Sequence, residues 1–205
     1  MSLIDISPLV HDGIDVWPGD VPFRARKSLE IKHGANLDLG AMETTFHVGA
    51  HADAANHYVE DGADAASMPL GHYYGPCQVI EVDVGRGRRI FPRDLPCTVE
   101  APRVLLKTGT FPDPDAWNDD FAALSPEVVG QLAVQDVVLV GIDTPSVDPF
   151  DDKELLSHKA LHEHGMANLE GLVLDHVRPG LYTLIALPLR IRGADASPVR
   201  AVLVP

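Results

Sequence analysis

The segment His47-Val48-Gly49-Ala50-His51-Ala52-Asp53-Ala54-Ala55-Asn56-His57 constrains this chain more than any other. It gathers three imidazoles and a carboxylate within eleven residues. Neutral imidazole and carboxylate are the ligand set of zinc, manganese and related cations. So dense a polar run is costly to bury unless a positive centre sits among its lone pairs. The bland alternative is a His-rich loop left on the surface. Local patterning favours the buried arrangement. Leu37, Leu39, Ala41 and Thr45 fall on alternate positions, the signature of a strand with one buried face, and His47 continues that parity. Gly49 lets the backbone turn, or approach a ligand closely, with no Cβ in the way. His51 and Asp53 share one side of an extended segment. A helical pairing of His47 with His51 is disfavoured by Gly49 and by the alternation before it.

At 205 residues, 45% of them hydrophobic and 22% charged, the chain has enough apolar material for one sizeable core. A single domain over residues 1–205 is the expectation. No repeat of solenoid or propeller period is present, and no apolar run approaches the length of a membrane span. No membrane partner is expected. The opening Met-Ser-Leu-Ile-Asp-Ile-Ser-Pro has neither a basic nor an apolar signal region. Cys77 and Cys97 are too far apart for a zinc knuckle and too few for a disulfide framework. A cytoplasmic protein with free thiols is therefore expected. The formal net charge of −14 excludes a nucleic-acid partner, because phosphate binding needs clustered Lys and Arg.

Strand signals outnumber helix signals. Gln78–Val84, Val104–Thr108, Val137–Ile142, Leu169–Leu174, Leu181–Leu187 and Val199–Val204 are short and rich in Val, Leu and Ile, with Gly, Pro or Asp at their bounds. Ser125-Pro126-Glu127 opens a helix through about Gln135, with Ser as N-cap and Pro at the first helical position. A second helix is predicted from about Asp152 to His164, with Gly165 past its end. Helices outside a mixed sheet or barrel is the architecture these elements imply.

A second polar cluster runs Ser157-His158-Lys159-Ala160-Leu161-His162-Glu163-His164, with Glu170 beyond it. His158 and His162 share a helix face. Spacing alone does not choose among His158, His162 and His164, nor does it exclude three exposed histidines.

His47-x-Gly-Ala-His51-x-Asp53-x-Ala-x-His57 resembles the His-x-Gly-Thr-His-x-Asp-x-Pro-x-His motif of cyclase-like metal hydrolases. More closely, the chain resembles the bacterial kynurenine formamidases (arylformamidases) over nearly its whole length. The matching stretches include Val16-Trp17-Pro18-Gly19-Asp20, the run from Gly141 to Pro149 (GIDTPSVDP), Leu169 to Leu174, Leu184 to Leu189, and Asp195 to Leu203 (DASPVRAVL). The resemblance implies an α/β fold of the swivelling β/β/α type, with a barrel-like mixed sheet and helices packed outside, in a homodimer. It also implies a two-zinc centre. His47 and His51 would hold one zinc, Asp53 would bridge, His158 would bind the second, and Glu170 would supply the remaining carboxylate. His57 would be the acid–base residue and Trp17 a wall of the substrate pocket. Without the resemblance, Trp17 reads more naturally as a core plug. The same ligands accept Mn²⁺ or Co²⁺.

Ala50 stands where the broad motif has Thr, and Ala55 replaces its proline. Proline stiffens a loop by fixing φ, so the second departure bears on how firmly His57 is placed. The implied reaction is hydrolysis of N-formyl-L-kynurenine to L-kynurenine and formate, a step of tryptophan catabolism. Two alternatives accompany it: a related hydrolase opening isatin or another cyclic amide, and a catalytically silent metal- or ligand-binding protein.

Overall fold

Buried parallel strands read as unbroken apolar runs, and the centre of this fold is made of them. The structure, a computed structural model, describes residues 2–205. In chain order the strands are β1 (Ile4–Asp5), β2 (Arg24–Leu29), β3 (Leu39–Glu43), β4 (His51–Asp53), β5 (Tyr74–Glu81), β6 (Arg89–Ile90), β7 (Arg103–Lys107), β8 (Ala123–Leu124), β9 (Leu139–Ile142), β10 (Ala167–Leu169), β11 (Gly180–Ile185), β12 (Ala196–Pro198) and β13 (Val202–Val204). The α-helices are α1 (Pro126–Ala133) and α2 (Leu156–Glu163). Seven strands form the main sheet in the order β1-β13-β11-β5-β7-β9-β10. β5, β7, β9 and β10 run parallel, and β11, β13 and β1 continue the sheet antiparallel. The sheet curls into a half-barrel, the mixed α/β architecture expected from the sequence.

Side chains alternate across the sheet and sort into two apolar layers. Along β7, Val104 and Leu106 join α1 and α2 through Val128, Val129, Leu132 and Leu161. Leu105 points the other way, into a layer with Ala50, Ala52, Leu169 and Leu172. The helices thus cover one face, and the segment carrying the histidine motif covers the other. Ser125 caps α1 as predicted, its Oγ accepting the Val128 N–H at 3.1 Å, with Pro126 at the first helical position. The second helix begins later than predicted, at Leu156, because Leu155 adopts the left-handed conformation (φ 52°). Gly165 past its end has φ 64°, the conformation a helix-terminating glycine supplies.

Two expectations are corrected. The alternation from Leu37 to Thr45 does make a strand, β3, but it pairs with β2 in a hairpin exposed on both faces, and Leu39 is 52% exposed. Alternation reports extended backbone, and among the described residues no apolar layer buries that hairpin. The strand also stops at Glu43, so His47 sits in a turn beyond it. Likewise Leu169–Leu174 is a strand only at Leu169. Gly171 (φ 64°) turns the chain there, and a Cβ on it would lie 2.3 Å from the Gly49 carbonyl oxygen. The other predicted strands match β5, β7, β9, β11 and β13 with shifted ends.

The carboxyl ends of three adjacent parallel strands bring polar residues to one edge of the sheet. Thr108 comes directly after β7, Asp143 after β9 and Glu170 after β10. This edge of an open α/β sheet is where ligand crevices form.

Candidate metal centre

The turn at Gly49 (φ 61°) delivers β4 against the end of β10. His51 N–H donates to the Glu170 carbonyl at 3.1 Å and Glu170 N–H to that of His51 at 3.0 Å. The reciprocal bridge places a β4 histidine beside the carboxylate that follows β10. Asp53, two residues along β4, falls on the same side as His51, as its parity requires. From the helix layer, α2 sends in His158. His162 and His164 remain exposed, so tertiary packing makes the choice that spacing left open.

The buried groups form two joined clusters. In one, Asp53 Oδ1 lies 3.2 Å from His47 Nδ1 and 3.6 Å from His51 Nε2, and Glu170 Oε2 lies 3.2 Å from that same Nε2. In the other, His158 Nε2 lies 3.2 Å from Asp53 Oδ2 and 3.3 Å from Glu170 Oε1. Each carboxylate therefore shows one oxygen to each cluster. The geometry gives Glu170 the same straddling position as Asp53.

Each of these three histidines is held from behind by an oxygen. His51 Nδ1 donates to the Gly49 carbonyl at 2.8 Å, and His158 Nδ1 donates to Asp148 Oδ2 at 2.8 Å. His47 Nε2 faces Asp195 Oδ2 at 3.3 Å. The ring nitrogens left over point at Asp53 and Glu170. Anchoring of this kind fixes tautomer and orientation in metal-ligating imidazoles. Asp148 is itself fully buried and gripped by Arg89 Nη1 at 2.8 Å and by the backbone N–H groups of Ser157 and His158.

Does this set fit a cation? His51 Nε2 and Asp53 Oδ1 are buried and have no hydrogen-bond partner, a costly state for native polar atoms. Donor atoms of His47, His51 and Asp53 all lie within 4.8 Å of one another, as do those of Asp53, His158 and Glu170. A cation would satisfy the orphaned atoms and offset the two adjoining carboxylates, so the residues fit. The electrostatics agree. Burial opposes charge on His47, but the Asp53 carboxylate, helped by Asp195 and Glu170, outweighs it and raises the imidazole to about 9. Burial likewise opposes charge on His158, and Asp148, Asp53 and Glu170 hold it well above the usual histidine range. Asp53 stays well below the usual carboxylate range despite burial, because His158 bonds to its Oδ2 and the His47 and His51 imidazoles stand beside it.

His57 stands at the rim in a 3-10 turn (Ala55–His57), its ring 4.3 Å from that of His47, with Nδ1 3.4 Å from Asp195 Oδ2. The turn forms without the motif proline. His57 N–H bonds the Ala54 carbonyl, Val59 N–H that of Ala55, and Asn56 N–H that of Ala63. Backbone bonds thus do the work the proline would share.

A cavity of about 350 Å³ opens over the cluster. His47, His51, His158 and Glu170 line it on the side of the cluster, and His57 and Trp17 line it as well. The Trp17 ring lies 5.0 Å from Phe150 and 5.3 Å from Trp117. Asp143 ties down the loop beneath Phe111, accepting from the Thr108 and Gly109 N–H groups at 2.8 Å. Sequence reasoning missed Asp148, Asp143, Asp195 and Asn168. Three of them lie in segments that carry the resemblance, but no spacing marks a carboxylate that acts by holding another side chain.

Residues 4–149 match the Cyclase family, which is more than half of the chain and includes the whole histidine motif. The chain belongs to the Cyclase family. The match ends before His158 and Glu170, but likeness to solved structures of similar fold runs through both. One, described as a potential metal-dependent hydrolase with cyclase activity, is 27% identical with a TM-score of 0.82, covering 98% of this chain and 96% of that one. Another, a predicted metal-dependent hydrolase from Bacillus stearothermophilus, is 26% identical with a TM-score of 0.81, covering 98% and 97%. Isatin hydrolase A from Labrenzia aggregata, 22% identical over 99% and 93%, shares the fold with a TM-score of 0.81.

Proposed function

We propose that this Cyclase-family chain is a zinc-dependent arylformamidase that hydrolyses N-formyl-L-kynurenine to L-kynurenine and formate. The observation that carries the metal-dependent part is the pair of orphaned buried atoms, His51 Nε2 and Asp53 Oδ1, in the cluster over which an aromatic-lined cavity opens. The identity of the substrate rests on the sequence resemblance. His47, His51 and Asp53 would hold one zinc, and Asp53, His158 and Glu170 a second. When bound, such a cation polarises a carbonyl and lowers the pKa of water from ~15.7 to about 7.

The chain's own residues supply the rest. Trp17 and the aromatic side chains beside it offer a face on which the aryl ring of a formanilide stacks. Asp195 faces His57 Nδ1, which leaves Nε2 as the nitrogen that exchanges protons with the substrate. Nε2 takes a proton from the attacking water and returns it to the anilide nitrogen, so the aryl amine leaves neutral. The His47 ring, 4.3 Å from that of His57, packs against it and restricts how the His57 imidazole can turn. A homodimer accompanies this reading. Location in the cytoplasm is part of the same proposal.

The test is turnover of N-formyl-L-kynurenine beside formanilide and isatin by the zinc-loaded protein. Preference for the two formamides supports the assignment. Turnover of isatin alone makes the protein a cyclic-amide hydrolase, and turnover of none, with metal bound, makes it a binding protein.

A further inference from the structure

Asn168 is 2% exposed and lies on β10 two residues before Glu170, so both side chains project from the same face of the strand. Its Nδ2 donates to Asp53 Oδ2 at 2.7 Å and to Glu170 Oε1 at 3.0 Å. Chemistry fixes the orientation of the amide, since its oxygen in that place would repel both carboxylates. These two oxygens are the ones that face His158 Nε2, at 3.2 and 3.3 Å. The other two, Asp53 Oδ1 and Glu170 Oε2, face His47 and His51, and Asn168 does not touch them.

Two carboxylates packed this closely in a buried site repel each other. Among the described residues no Lys or Arg pairs with either one. Asn168 links them with N–H donors and adds no charge, so the negative field that attracts a cation is kept while the oxygens are held in place. We infer that Asn168 is a positioning residue for the His158 half of the centre, setting Asp53 Oδ2 and Glu170 Oε1 at a spacing a divalent cation can join. The inference rests on the proposed metal centre. It also makes the two halves unequal, because only one depends on the amide.

The test compares chelator-stripped wild type with Asn168→Leu, which keeps the bulk and removes the donors. Zn²⁺ is titrated against a chromophoric chelator, and Co²⁺ binding is followed by visible absorption. Wild type takes two equivalents. In Asn168→Leu the first binds as in wild type, while the second weakens by about 10–100-fold, the usual cost of losing a partner that orients a ligand. The Co²⁺ absorption of the second equivalent changes with it. Asn168→Ser keeps one donor, shows a smaller loss of the second equivalent, and carries the same comparison if the leucine variant does not fold. Wild-type affinity for both equivalents overturns the inference. So does equal weakening of both, which would mark general damage. Failure of wild type itself to take two equivalents overturns the two-metal reading instead, and the inference with it.

Discussion

His51 and Glu170 are clamped to each other twice, by a reciprocal pair of backbone hydrogen bonds at 3.1 and 3.0 Å and by the approach of His51 Nε2 to Glu170 Oε2 at 3.2 Å. A side chain from the motif segment and one from the far edge of the sheet are thereby held beside each other. The clamp depends on the close passage of Gly49 and Gly171.

Gly171→Ala should break it. The new Cβ would meet the Gly49 carbonyl oxygen at 2.3 Å in a left-handed conformation that alanine resists. Destabilisation of about 1–3 kcal/mol is expected, together with weaker zinc binding. Chemical denaturation with and without chelator checks it. Wild-type metal affinity in this variant would contradict the clamp.

Asp148→Asn removes the carboxylate that anchors His158 Nδ1 and pairs with Arg89. Leaving a buried partner unpaired costs about 3–5 kcal/mol, and zinc affinity should drop about 10–100-fold. Isothermal titration and urea melts read the two effects separately. Loss of stability with unchanged zinc affinity would show that Asp148 serves the fold alone.

Ala55→Pro should stabilise the protein. Position 55 is the first residue of the 3-10 turn, and Ala54 before it is already extended, with φ −95° and ψ 154°, as a residue preceding proline prefers. A gain of about 0.4–1 kcal/mol is expected from the stiffer unfolded chain. Thermal melts decide the sign.

The metal-free protein should lose stability as pH rises from 6.5 to 9. The His47 imidazole goes from an ordinary 6.5 to about 9 on folding, so its contribution is complete below 6.5 and gone above 9. Asp53 and Glu170 act in the opposite direction, their contributions fading as pH falls into the carboxylate range. Under the proposed function zinc must displace the His47 proton, so loaded and stripped proteins should separate in Tm across the same window. Equal Tm values for the stripped protein at pH 6.5 and 9 would refute the raised His47.

The motif from His47 to His57 was legible because its ligand types are dense and local, and the parity of His51 with Asp53 survives in β4. His158 was not separable from His162, since residues four apart share a helix face. Only its pairing with Asp148, ten residues earlier in the chain, buries one and leaves the other in solvent. Leu169–Leu174 looked like a strand because its residues are apolar. Gly171 ends it, for a reason that lies in Gly49, far away in sequence. The β2–β3 hairpin shows the converse, with strand periodicity and no layer to bury it.

Under the proposed function, these residues form a metal centre that hydrolyses an aryl formamide while His57 moves the proton. The most direct measurement is N-formyl-L-kynurenine turnover by wild type and His57→Ala, each after chelation and after zinc readdition, with bound zinc counted. Zinc should restore wild-type turnover, and His57→Ala should bind the same zinc yet stay about 10²–10⁴-fold slower. Full activity in the stripped wild type, or in zinc-loaded His57→Ala, would contradict the account.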